Sequence, residues 1–186
     1  MGEFMKKLAK VEGQGARALE FAILTAARSG EVRGAKWSEI DMNGKMWTIP
    51  ASRMKAGKEH RVPLSNAAIN LLEKIAVTES ELVFPSPRGG MLSDMTLTGV
   101  LRRMKVSVTA HGFRSTFRDW VAESTQFPNE VAEMALAHTI SNKSEASYRR
   151  KDMFEKRAVM MEEWSRFVHT PLLPASVHPI NAMRVA

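Results

Sequence analysis

The chain has 186 residues, of which 44% are hydrophobic and 25% charged, enough for one core of ordinary globular type. No stretch reaches the roughly eighteen apolar residues of a membrane span, and the lack of cysteine excludes disulfides, thiolate zinc sites and a cysteine nucleophile, which fits a reducing cytoplasm. A net charge of +7 favours polyanionic partners, because each phosphate neutralised by Lys or Arg releases counterions.

Residues 1–14 read as a flexible leader, with a basic start, glycines at 2 and 13, no signal-peptide core and no periodicity. From Gly15, Leu19, Ala22, Ile23 and Ala26 recur at helical spacing until Ser29-Gly30 breaks the pattern, which puts Arg28 at a helix C-terminus. Glu31 to Lys36 offers a second short helical turn. A β-meander follows: a strand at Ser38 to Asp41, a turn at Asn43-Gly44 and a return strand at Lys45 to Pro50. After a loop holding Lys55 and Lys58 comes Glu59 to Leu64, where Pro63 marks an edge strand.

Ser65 predicts a capped helix carrying Ile69, Leu72 and Ala76, and Ser93 another carrying Leu97, Val100, Leu101 and Met104. His111 opens a helix whose Phe113, Phe117, Trp120 and Val121 face the core, with Arg114 and Arg118 off that face. Pro128 suits the first turn of a helix with Val131, Met134 and Ala135 inward, bringing His138 to its C-terminal end. Asp152 and Glu155 have capping-box spacing and start a last helix striped by Met160, Met161, Trp164, Phe167 and Val168. The sum is a mainly α domain over residues 15–168, with a small antiparallel β-meander and a tail at 169–186.

Seven residues supply what an attack on a phosphodiester needs. No paired-histidine motif predicts a metal, and no cofactor is expected, so arginines must stabilise the charge. The planar forks of Arg28 and Arg114 can each hold two phosphate oxygens. Tyr148, the only tyrosine, has a phenol too weakly acidic to attack unaided and needs a base or a cationic field. His111, three residues before Arg114, is a candidate base. Lys55 can protonate a leaving 5′-oxygen, with Lys58 as the alternative, and His138 can hydrogen-bond a non-bridging oxygen. Glu31 can orient or charge-balance a histidine. Arg102, Arg103, Arg149 and Arg150 are candidates for DNA-backbone contacts. Plainer roles exist for each: Arg28 as a helix-dipole partner or local ion pair with Glu31, the histidines as core residues, the basic clusters as solvated helix ends.

Arg28-Ser-Gly-Glu31, Lys55, His111-Gly-Phe-Arg114, Leu136-Ala-His138 and Tyr148, in this order, resemble the tyrosine recombinase (phage integrase) family over about Gly15 to Val168. Arg33 to Asp41 and His60 to Ser65 look most like integrases of prophages and genomic islands. The resemblance implies a mostly helical catalytic domain and type IB chemistry: tyrosine attacks double-stranded DNA, forms a 3′-phosphotyrosyl link and exchanges strands in a synaptic tetramer, without ATP or metal. It implies no membrane and no small-molecule substrate. A non-catalytic DNA-binding remnant and a topoisomerase-like relaxase are the alternatives. Ala137 stands where the family commonly has glycine, a small swap expected to be tolerated. Integrases usually carry further N-terminal DNA-binding domains, so the chain is expected to be a fragment or truncated product.

Overall fold

The computed structural model describes residues 1–75, 79–138 and 152–171. Its axis is helix α2 (Gln14–Thr25), which buries residues on every side, from Ala16 through Leu19, Phe21 and Ile23 to Leu24. A helix apolar all round must be enclosed, and here α1 (Gly2–Ala9), α4 (Asn66–Glu73), α5 (Thr96–Arg103) and α8 (Phe154–His169) surround it. Helices α3 (Ser29–Arg33), α6 (Gly112–Ser124) and α7 (Asn129–Ala135) complete the helical part.

Strands β1 (Ile40–Asp41), β2 (Met46–Ile49) and β3 (His60–Pro63) form an antiparallel sheet in chain order. On β2 the side chains alternate, so Trp47 and Ile49 are buried while Met46 and Thr48 are half-buried. The Trp47 ring packs tilted against Phe21 of α2 at 5.3 Å, and Phe21 in turn meets Phe84 at 5.4 Å. Pro63 lies on the edge strand, where its missing N–H costs no ladder bond. Across the core, Phe117, Trp120, Trp164 and Phe167 form a second aromatic cluster. The Trp164 indole N–H donates at 2.8 Å to the Ile23 carbonyl in the last turn of α2, which also accepts the Ala26 backbone N–H at 3.4 Å. The mainly α fold with a small meander is therefore as expected.

Several local expectations are corrected. Residues 1–14 are not a leader: α1 buries Met5 and Leu8 against α2 and α8, and Phe4 lies 5.2 Å from the Phe113 ring. Arg17 Nη2 donates to the carbonyls of Leu8, Ala9 and Val11, closing the C-terminal end of α1. The first half of the first predicted strand lies in a 3-10 turn at Trp37–Glu39, and only Ile40–Asp41 is extended. Helix α5 starts after Met95 rather than at Ser93, whose hydroxyl bonds the Thr96 side chain instead of a backbone N–H. Helix α8 has no capping box, because the Asp152 carboxylate is taken by Arg61 and Arg157 at 2.8 and 2.9 Å. Of the predicted tail, His169 ends α8, and the residues beyond 171 lie outside those described, as does Ala76.

Because Leu8 is wholly buried, Leu8→Ala is expected to destabilise the chain by about 2–5 kcal/mol. Urea unfolding checks this; an unchanged midpoint would return residues 1–14 to the status of a leader.

Candidate active site

Helix α2 ends at Ala26, whose left-handed backbone (φ 51°, ψ 23°) turns the chain so that Arg28 becomes the N-cap of α3. Arg28 is therefore between two helices, one residue role further than the expected C-terminal position. Glu31, 6% exposed, secures it: one carboxylate oxygen accepts the Arg28 backbone N–H at 2.9 Å and the other accepts guanidinium Nη1 at 2.8 Å.

Arg114 is buried at 5% exposure in the first turn of α6, not off the core face as its spacing suggested. Its Nη1 donates to the Ala26 carbonyl and its Nη2 to the Leu136 carbonyl at 2.8 Å. Ala26 ends α2 and Leu136 ends α7, so one cation closes two helix C-termini, where open carbonyls and the helix dipoles are negative. Arg28 Nη2 reaches the next carbonyl, that of Ala137, at 3.3 Å. Burial, then the nearby Arg28 charge, push the Arg114 guanidinium down to about 10, with Glu31 opposing, so it stays cationic at neutral pH.

Ala137 is left-handed (φ 48°) and brings His138 back beside α7. His138 Nδ1 lies 2.7 Å from Glu133 Oε2, and its Nε2 is 3.5 Å from Arg114 Nη2. The other Glu133 oxygen accepts Arg118 Nε at 2.8 Å. Burial disfavours this carboxylate, but hydrogen bonds from Arg118 and His138 outweigh burial and hold it below its ordinary range. Arg28, Lys55, Ala56, Glu133, Ala137 and His138 line one open cleft of about 470 Å³. Behind it His60, at the start of β3, is pushed down to about 4 by burial and by Arg157, and is neutral at pH 7.

The structure thus brings together Arg28, Glu31, Lys55, Arg114 and His138. Lys55 is exposed on the β2–β3 loop and lines the cleft, whereas Lys58 does not. His111 is exposed at the N-cap of α6, whereas Arg114 turns inward; neither is among the residues that line the cleft. Glu31 pairs with Arg28 rather than with a histidine. The histidine's carboxylate is Glu133, which the sequence reading missed because five residues separate it from His138, a spacing that shares no helix face; the left-handed Ala137 restores the contact. Arg102 and Arg103 are exposed on the last turn of α5. Tyr148, Arg149 and Arg150 lie outside the described residues.

Residues 3–155 match the model of the phage integrase family. The chain is 38% identical to prophage integrase IntA of Escherichia coli K12, over 78% of this chain and 37% of that protein. It is 32% identical to the integrase of Enterobacteria phage P4, over 89% and 43%. It spans about two fifths of the length of these curated relatives. Among solved structures, the integrase of mycobacterium phage Brujita superposes with a TM-score of 0.66 at 19% identity, over 86% of this chain and 55% of that one. A lambda integrase dimer bound to a COC′ core site gives 0.54 at 22% identity, over 80% and 56%. These likenesses show the fold.

Two outcomes follow from the backbone and from His60. At the left-handed position 137 glycine carries no Cβ penalty, so Ala137→Gly is expected to stabilise the chain by up to about 1 kcal/mol after the entropy that glycine adds to the unfolded state. Thermal unfolding measures it. The unfolded chain protonates His60 below about 6.5, whereas the folded chain waits until about 4. Its contribution is therefore full above pH 6.5 and declines as pH falls towards 4. His60→Gln should flatten the stability profile across that window in urea titrations.

Proposed function

Since the chain belongs to the phage integrase family, we propose that it is the catalytic part of a site-specific DNA recombinase in which Tyr148 attacks a DNA phosphodiester. The observation that carries this reading is the meeting of Arg28, Lys55 and His138 at one cleft, with Arg114 3.5 Å from His138 Nε2, although they lie far apart in sequence. Neutral packing has no use for two arginines, a lysine and a histidine at one place, whereas a phosphorane-like transition state does. In the proposed reaction the Tyr148 oxygen bonds to phosphorus and the bond to the 5′-oxygen breaks, leaving a 3′-phosphotyrosyl link. Arg28 and Arg114 provide the cationic field around the non-bridging oxygens, and His138 donates to one of them. Lys55 gives its proton to the departing 5′-oxygen. The field favours the phenolate, and His111, on the helix that carries Arg114, is assigned as the base for the phenol proton. A 5′-hydroxyl from a second duplex reverses the step and completes strand exchange, so no ATP is consumed.

The partner is double-stranded DNA, held along its backbone by Arg102, Arg103, Arg149 and Arg150. Solved relatives include a lambda integrase tetramer bound to a Holliday junction, and the same assembly on DNA is proposed here. Among the described residues no helix is long and apolar enough to cross a membrane. The site of action on this reading is DNA in the bacterial cytoplasm.

Incubation with nicked core-type duplexes, followed by a denaturing gel, is expected to give a covalent DNA–protein band that Tyr148→Phe abolishes. Lys55→Ala should slow its formation by about 10²- to 10⁴-fold, with Lys58→Ala close to wild type. A substrate with sulfur as the bridging 5′ atom should rescue Lys55→Ala, because a thiolate leaves without a proton. Duplex binding without any covalent band, even with the upstream domains restored, would replace this reading by a non-catalytic DNA-binding role.

A further inference from the structure

We propose that Glu133 is a positioning residue that fixes the ring of His138 and selects the nitrogen it presents to the cleft; its catalytic consequence rests on the function proposed above. The two ring nitrogens face opposite demands. Nδ1 is 2.7 Å from a carboxylate oxygen of Glu133, which can only accept. Nε2 is 3.5 Å from Nη2 of Arg114, which can only donate. Both neighbours call for the same tautomer, with the proton on Nδ1 and the lone pair on Nε2.

Glu133 is itself held in place. Its second oxygen accepts Arg118 Nε from α6 at 2.8 Å, so its carboxylate bridges α6 and the end of α7. Lining the cleft beside His138, it carries a full charge at neutral pH because the hydrogen bonds from Arg118 and His138 overcome its burial. With Nδ1–H anchored there, Nε2 is the nitrogen left to meet a ligand. When an anionic phosphodiester enters, His138 keeps Nδ1–H on Glu133, takes up a proton from solvent at Nε2, leaves its contact with Arg114 and donates the new Nε2–H to a phosphate oxygen. The carboxylate balances the added charge, in the manner of carboxylates that orient ligating histidines at metal sites. Arg28 and Lys55, also at the cleft, leave Glu133 as the anion nearest this ring.

The test separates positioning from a mere tie between helices. Long-range ¹⁵N–¹H spectra of the labelled chain, with His138 assigned by His138→Gln, should show the Nδ1–H tautomer. Glu133→Ala leaves only the longer 3.5 Å contact with Arg114 in favour of Nδ1–H, so the Nε2–H tautomer that free imidazole prefers should appear in its spectra. Glu133→Gln, whose amide oxygen still accepts from Nδ1, should retain the original one, and Arg118→Ala should leave it unchanged. In the covalent-complex assay, Glu133→Ala should lower the rate by about 10- to 100-fold at unchanged duplex affinity, with partial rescue in Glu133→Gln and a smaller effect in Arg118→Ala. Exclusive retention of the Nδ1–H tautomer in folded Glu133→Ala would overturn the proposal. So would an equal rate loss in Arg118→Ala, which would make Glu133 a link between α6 and α7 only. If the unsubstituted chain forms no covalent complex, the recombinase reading fails, while the tautomer measurement still decides what Glu133 does to His138.

Discussion

The Arg114 guanidinium joins the Ala26 carbonyl at the end of α2 to the Leu136 carbonyl at the end of α7, and the cleft takes its shape from that junction. Helix ends carry carbonyls with no partner inside the helix, and burying them demands donors from elsewhere. Here the donors belong to a cation, which the negative ends of two dipoles stabilise at a depth where an unpaired charge would be costly. Arg28 extends the same device by one residue to the Ala137 carbonyl. Fold and site are therefore one set of bonds: the guanidinium that ties the ends of α2 and α7 also lies 3.5 Å from His138 Nε2, while Arg28 and His138 line the opening.

Carboxylates complete the arrangement without cancelling it. Glu31 holds Arg28 through both its backbone and its side chain, and Glu133 holds His138 through one nitrogen. Each anion is bound to a specific cation or ring at hydrogen-bond distance. Lys55 enters from the β2–β3 loop, where it is exposed. A site built in this way combines a rigid floor of arginines set by helix ends with one cation on a loop that can move to and from a bound backbone.

Much of this was legible in the sequence because it depends on local periodicity. The stripes of α2, α6 and α8, the edge position of Pro63 and the core aromatics Phe117 and Trp164 all follow from spacing. What spacing cannot show is where a long side chain goes once helices pack. Arg114 sits three residues after His111 yet turns into the core, because carbonyls from two other helices wait there. Asp152 has the right place for a helix cap but meets Arg61 and Arg157 across the fold. Glu133 finds His138 through a left-handed alanine, a conformation that the residue type argues against. Helix α1 was missed because its apolar residues are few and its burial depends on α2 and α8 being present.

The packing of α1 has a steric consequence at the far side of the molecule. A Cβ on Gly2 would lie 2.6 Å from the Thr170 carbonyl carbon and 2.8 Å from the Pro171 nitrogen, so the backbones of the first and last described segments touch. Polypeptide joined ahead of Met1 therefore starts from the corner at which Thr170 and Pro171 lie. An affinity tag fused in front leaves from the corner where Pro171 lies, and in a chain cut after Pro171 a short peptide back to Met1 would close a ring without bending the core.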